Sequence, residues 1–297
     1  MIIETENLTK RFLRHEAVQG LNLSVPEGST CALIGSNGAG KTTTMRMLVN
    51  ILAPDSGHAK VLGIDSRQLK PQDLQQIAYL SENQELPDRL SIEQYCEYLR
   101  SLYPAWDVAL ERELRAQFDL PPTRLLGKLS HGMRMKTMLV GALSFHPKLL
   151  ILDEPLSGLD PLVRDEVMSG LLGQAGETTI LISSHELTEI EGCTTHVAFM
   201  ARGRLLFQES IEALVARFRD VTVRLTQQRG SAGVPPAWLN VRADGALLRF
   251  VDTAYVDEAG LHEAVQKHCG AIAHLESTPL SLRDISKALM RATRGEA

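Results

Sequence analysis

The chain has 297 residues, 44% hydrophobic and 23% charged, which is room for one large domain and one small one in an ordinary globular composition. Its net charge of -5 provides no basic footprint and excludes a general nucleic-acid binder, so no nucleic-acid partner is expected. Cys31, Cys96, Cys193 and Cys269 lie far apart with no CxxC pair, which points to free packed thiols in a reducing compartment rather than a disulfide framework or a zinc site.

In chain order, the first element alternates as a strand does, and Ser29 to Ile34 is a short apolar run suited to a buried strand. A glycine-rich turn follows, then a helix predicted over Lys41 to Leu52, stopping before Pro54. Ser91 to Leu143 is mostly helical. Ser91 and Gln94 form a capping box there, and Leu110, Leu114 and Phe118 recur every four residues on one apolar face. Leu149 to Leu152 is a continuous apolar run, the mark of a parallel strand covered on both sides. Asp160-Pro161 starts a helix with a cap and a proline at the first helical position, and Thr179 to Ile182 is another strand leading into His185. After Phe218 come strands at Val221–Leu225 and Ala246–Phe250, a Gly/Ser/Pro loop running to Pro236, and helices at 257–268 and 281–291. The fold class is therefore α/β, built around a parallel sheet, with a helical subdomain near 85–145. The expected boundaries are 1–218 for the large domain and 219–297 for a small α+β appendage. No apolar run approaches the ~20 residues of a membrane-spanning helix. The start, MIIETENLTKRF, is charged where a secretory signal is apolar, so a cytoplasmic protein is expected, reaching a membrane through another chain.

Two motifs carry chemistry. Gly35, Ser36, Asn37, Gly38, Ala39, Gly40, Lys41 and Thr42, followed by Thr43, match GxxxxGK[ST] between a strand and a helix, so the parallel-sheet domain 1–218 is expected to be a P-loop NTPase core that binds nucleotide. Such a loop turns its N–H groups and the helix N-terminus toward phosphates, places Lys41 at the β- and γ-phosphates, and offers the Thr42 hydroxyl to Mg²⁺. At the end of the next apolar strand stand Asp153 and Glu154. Adjacent strand residues face opposite ways, so Asp153 suits the metal shell and Glu154 suits the general base acting on water.

From Ile2 to Leu214 these residues resemble the ATP-binding subunits of ABC transporters. Leu129-Ser-His-Gly-Met133 stands where the family has LSGGQ, with His131 and Met133 as departures and Ser130 and Gly132 retained. The resemblance implies that Ser130 and Gly132 bind the γ-phosphate of ATP held by a facing subunit, in a two-fold homodimer. It likewise implies that Ser157-Gly-Leu-Asp160 crosses that interface, that His185 is a switch histidine at the γ-phosphate, and that Phe12 stacks on adenine. A plain core role for Phe12 remains the alternative. Where the family has a glutamine that senses the metal and couples to the membrane partner, this chain has Glu82, with Gln84 two residues on, and either could serve.

A single phosphate loop with roughly 90 residues to the signature leaves no room for the long coiled coil of DNA-repair relatives, and translation-type relatives carry two such domains. Leu102-Tyr-Pro-Ala-Trp-Asp107, the Ser-His-Gly-Met signature and the final helix resemble a bacterial export-type branch. The Trp106 segment could equally be a helix-starting turn with a buried tryptophan. The resulting expectation is an ATPase using ATP and Mg²⁺ to drive a separate transmembrane permease of unknown cargo, peripheral on the cytoplasmic membrane face. The alternative is a nucleotide-switched regulatory or scaffold protein.

Overall fold

The computed structural model describes residues 1–173, 177–227 and 233–294. Residues 228–232 of the Gly/Ser/Pro loop lie outside that description. Two compact units emerge: Met1–His185 with Gly192–Gln208, and Glu186–Glu191 with the chain from Glu209 onward.

The first unit opens with β1 (Ile3–Phe12), β2 (His15–Leu21), β3 (Ser24–Val25), β4 (Thr30–Ile34) and α1 (Lys41–Leu48). It continues with β5 (Ser56–Val61), β6 (Ile64–Asp65), α2 (Pro71–Leu74) and β7 (Ile77–Ser81). Then come α3 (Ile92–Arg100), α4 (Val108–Gln117), α5 (His131–Leu143), β8 (Leu149–Asp153), α6 (Pro161–Leu172), β9 (Thr179–Ser184), β10 (His196–Ala201) and β11 (Arg204–Ser210). An antiparallel sheet runs β2-β1-β5-β6 with β3 beside β1, and a six-stranded sheet runs β11-β10-β4-β9-β8-β7. The β10/β4, β4/β9, β9/β8 and β8/β7 pairs of the second sheet are parallel. Every residue of β4 and of β8 is buried, as covering on both faces demands and as their unbroken apolar runs foretold.

Helix α1 stops four residues earlier than predicted. Asn50 adopts φ 59°, and the Asn50 and Ile51 N–H groups bond back to Met47 and Arg46 carbonyls, which is the left-handed Schellman ending of a helix. The expected cap at Ser91 is present, with Ser91 Oγ accepting from Gln94 N and Gln94 Oε1 accepting from Ser91 N. Asp107 caps α4 by accepting from Ala109 and Leu110 N–H. Trp106 is half-buried, its indole donating at 2.9 Å to Glu111, so the segment is a helix-starting turn with an anchored tryptophan. Glu111 is itself 1% exposed and is neutralised by Arg100 at 2.8 Å and Arg115 at 3.4 Å.

The second unit contains α7 (Ile211–Arg217), β12 (Arg219–Leu225), β13 (Trp238–Asp244), β14 (Leu247–Asp252), α8 (Glu258–Cys269), β15 (Ile272–Pro279) and α9 (Leu282–Arg294). Its antiparallel sheet runs β13-β14-β12-β15. Val221, Val223, Phe250, Leu261 and Val265 form the core, and Trp238 stacks on Phe250 with ring centroids 4.0 Å apart. The boundary expected at 218 moves to 208. Helix α7 is tied to the later residues: Arg217 ion-pairs with Glu209 and donates to the Thr253 carbonyl, and its own carbonyl accepts from Tyr255 N. Residues 186–191 also join this unit, which composition gave no means of foreseeing. Among the described residues no helix is long and apolar enough to cross a membrane.

Candidate functional site

The phosphate loop bridges β4 and α1 as its spacing requires. Gly40 has φ 104°, and a Cβ there would stand 2.3 Å from the Ala17 carbonyl oxygen; a Cβ on Gly35 would stand 2.3 Å from that of Met200. Both obstacles are backbone, so neither position admits a side chain. The Gly203 N–H holds the Ala39 carbonyl at 3.0 Å, bracing the loop from behind. Lys41, 5% exposed, donates to the Gly35 carbonyl at 2.6 Å and to that of Ser36 at 3.4 Å. A cavity of about 510 Å³ opens over the loop. Its walls are Asn37 to Thr43 with Phe12, His15, Ala17, Glu82 and Glu154, while Gly35 and Ser36 lie behind as carbonyl partners of Lys41.

Beneath this cavity Asp153 ends β8, buried at 4% exposure. Its Oδ1 accepts from Thr42 Oγ1 at 3.0 Å and from Ser183 Oγ at 3.0 Å. Ser183 Oγ in turn accepts from Glu154 N at 2.9 Å, so one hydroxyl locks both acidic residues. Glu154 itself has φ 52°, a left-handed conformation costing a non-glycine residue about 1–3 kcal/mol. Its carboxylate is therefore aimed by a turn just past the strand, which corrects the expectation that strand alternation alone would separate the two acids. Glu154 Oε1 lies 2.9 Å from Lys41 Nζ, and Oε2 lies 3.3 Å from His185 Nδ1. Lys41, Glu154 and His185 thus form one chain of contacts.

Glu82 lines the cavity, and its N–H bonds the Asp153 carbonyl at 3.1 Å. Gln84 instead lines a separate cavity of about 80 Å³ with Tyr95, Tyr103 and Phe145. Phe12 is 47% exposed at the cavity wall, which removes the core alternative for it. Ser130 caps α5, accepting from Met133 N at 3.3 Å, and Asp160 caps α6, accepting from Val163 N at 3.1 Å. Gly132 packs so closely on Val163 that a Cβ would fall 2.7 Å from its Cγ1. Within one chain, Ser130, Gly132 and Asp160 do not line the Lys41 cavity.

Three features escaped sequence reasoning. Ser183 was visible only as part of Ser183-Ser-His185, with nothing local to reveal its bonds to the acidic pair. His15 reaches the cavity because the β1–β2 hairpin pairs it with Phe12. His131, in the signature, sets Nε2 3.0 Å from the Ser157 carbonyl, which requires that nitrogen to donate. The signature helix is thereby tied to the loop that follows Glu154. All four cysteines are free and buried. Burial pushes the Cys31 thiol, on β4 just before the loop, up to about 12, which removes it as a nucleophile.

The Thr42 hydroxyl beside the Asp153 carboxylate is an all-oxygen donor pair suited to a hard divalent cation that keeps waters and phosphate oxygens in its shell. An ABC transporter family model matches residues 18–157. The ABC transporter ATP-binding protein YtrB of Bacillus subtilis is 30% identical over 237 residues, covering 76% of this chain and 81% of that protein. The bacitracin transport ATP-binding protein BcrA of Enterococcus faecalis is 33% identical over 233 residues, covering 74% and 73%. A solved ATP-binding subunit of an ABC transporter superposes with a TM-score of 0.66 at 26% identity, covering 72% of this chain and 92% of that one. A phosphate loop built against Asp153 and Glu154, in a chain this similar to such proteins over most of their length, leads to one assignment: the chain belongs to the ABC transporter ATP-binding family and is an ATP-binding, ATP-hydrolysing subunit of an ATP-driven transporter.

Proposed function

We propose that two copies of this chain close on two Mg-ATP and drive a separate membrane permease that exports its cargo, working from the cytoplasmic face of the membrane. The observation that carries the reading is the contact chain Lys41–Glu154–His185 at the mouth of the phosphate loop. Asn37 to Thr43 would surround the phosphates with N–H groups, with the Lys41 ammonium at the β- and γ-phosphates. Thr42 and Asp153 would hold Mg²⁺, with Glu82 at its outer edge, and the ion would neutralise charge on the phosphate oxygens. Phe12 and His15 form the wall suited to the adenine ring. Once Lys41 turns to phosphate, the Glu154 carboxylate is free to orient water in line, with His185 beside it at the γ-phosphate. Ser130, Gly132 and the Asp160 loop, which leave the chain's own cavity alone, complete the site of the facing copy. Positioning and fixed charges then supply most of the acceleration.

Export is supported by the relatives. They include bacitracin transport proteins and, at 34% identity, the daunorubicin/doxorubicin resistance ATP-binding protein DrrA of Streptomyces peucetius. The test is affinity purification of tagged Glu154→Gln protein from detergent-solubilised native membranes with Mg-ATP present. Recovery of a multi-spanning protein in comparable amount is expected. Recovery of soluble partners alone, with the wild type still hydrolysing ATP, would overturn the transport reading in favour of a nucleotide-switched regulator.

A further inference from the structure

Glu154 takes its direction from the segment that runs between the end of β8 and the cap of α6, outside either element. Two turns follow each other there. The Ser157 N–H reaches the Glu154 carbonyl at 3.2 Å, and the Leu159 N–H reaches that of Leu156 at 3.3 Å. The second turn has Gly158 in third place with φ 67°, the glycine position of a type II turn. Types I and II differ in the way the middle peptide faces. Here that peptide joins Ser157 to Gly158 and carries the Ser157 carbonyl. Glycine accepts either sign of φ, so the residues of the turn leave the choice open.

The choice is made from α5. His131, its first residue, sets Nε2 3.0 Å from the Ser157 carbonyl oxygen, and the ring edge lies against Gly158, where a Cβ would stand 3.8 Å from Cδ2. A ring nitrogen facing a carbonyl must carry a proton, which it does in the cation and in one neutral tautomer. The bonds therefore run in series. His131 holds the Ser157 carbonyl, the Ser157 N–H closes the first turn on Glu154, and Glu154 sits in that turn at φ 52°. Gly132, pressed on Val163, keys the same end of α5 onto α6, so the imidazole has a fixed base. Every residue in this chain of contacts belongs to the nucleotide-binding unit.

We propose that His131 is a positioning residue for Glu154: by holding the Ser157 carbonyl it fixes the turns that aim the carboxylate, and it governs hydrolysis rather than ATP binding. The inference rests on Glu154 being the base. His131 does not line the cavity over the phosphate loop, so its loss should lower kcat and leave the KM for ATP unchanged.

The experiment places His131→Ala, His131→Gln and His131→Met in the full chain, and combines His131→Ala with Glu154→Gln. Phosphate release gives kcat and KM, and thermal melting reports folding. His131 is exposed, so these changes leave the core intact. His131→Ala is expected to lower kcat about 3- to 10-fold with KM within about twofold. Glutamine carries an amide N–H close to the place of Nε2 and should restore most of the turnover; methionine, of similar length without a donor, should not. The combined variant should be no slower than Glu154→Gln alone, because nothing is left to position. If His131→Ala does not fold, His131→Met takes its place in the cycle. Wild-type kcat in a folded His131→Ala protein, equal rescue by methionine and glutamine, or losses that multiply in the combined variant would overturn the proposal. Wild-type phosphate release in Glu154→Gln would instead overturn the assignment of the base, so the two failures are distinguishable.

Discussion

Replacing Glu154 by glutamine separates two functions that the carboxylate combines. In the wild type its Oε1 lies 2.9 Å from the Lys41 ammonium, with Lys41 5% and Glu154 16% exposed. Glutamine keeps the shape and removes the charge, leaving Lys41 with the Gly35 and Ser36 carbonyls as partners. Removing one partner of a fully buried ion pair costs ~3–5 kcal/mol. Residual exposure and the two carbonyls reduce this to about 1–3 kcal/mol. Without nucleotide, Glu154→Gln should therefore melt about 2–10 °C below the wild type. The same free energy reappears with opposite sign in nucleotide affinity, because phosphate supplies the anion that Lys41 has lost. At ~1.4 kcal/mol per factor of ten, ATP should bind about 5- to 100-fold more tightly to the variant. Turnover should fall by about 10²–10⁴ if Glu154 is the base. Scanning calorimetry without nucleotide, calorimetric titration with Mg-ATP and a phosphate-release assay read the three quantities on one preparation. Equal melting and equal affinity in the two proteins would refute the ion-pair argument, and unchanged phosphate release would refute the assignment of the base.

Other substitutions probe the supports around this site. Glu111→Ala should strand the half-exposed Arg100, the more buried Arg115 and the Trp106 indole, lowering stability by about 2–4 kcal/mol in urea titration. A wild-type midpoint would show that the cluster is energetically idle. His131→Ala removes the bond to the Ser157 carbonyl, worth about 1 kcal/mol, and should slow ATP turnover about 3- to 10-fold with little change in melting temperature. Unaltered kinetics would detach the signature histidine from the reaction. Cys31 and Cys96 have thiols pushed up to about 12 by burial, so iodoacetamide should label them only after unfolding; rapid labelling of the native protein, seen by mass spectrometry, would contradict that packing.

The division between what the residues disclosed and what they concealed follows the range of the interactions. The phosphate loop, the caps at Ser91 and Asp160 and the buried strands β4 and β8 are local or periodic signals, and each stands where its own residues place it. The acidic pair was legible as a pair. Its geometry was not, because the direction of Glu154 depends on a left-handed turn and on Ser183, a residue 30 positions after Asp153. The loops between Glu82 and Gln84 hid their assignment for the same reason, since only the fold reveals which side chain turns toward Lys41 and which toward Tyr95.

The unit boundary was concealed most completely. Composition changes near Phe218, yet α7 already belongs to the second unit through Arg217, Glu209 and Thr253, and residues 186–191 join it from far upstream. A composition shift marks where a chain changes character, whereas a unit is defined by which apolar surfaces meet, and Leu187 and Ile190 are too few to leave a periodic signature.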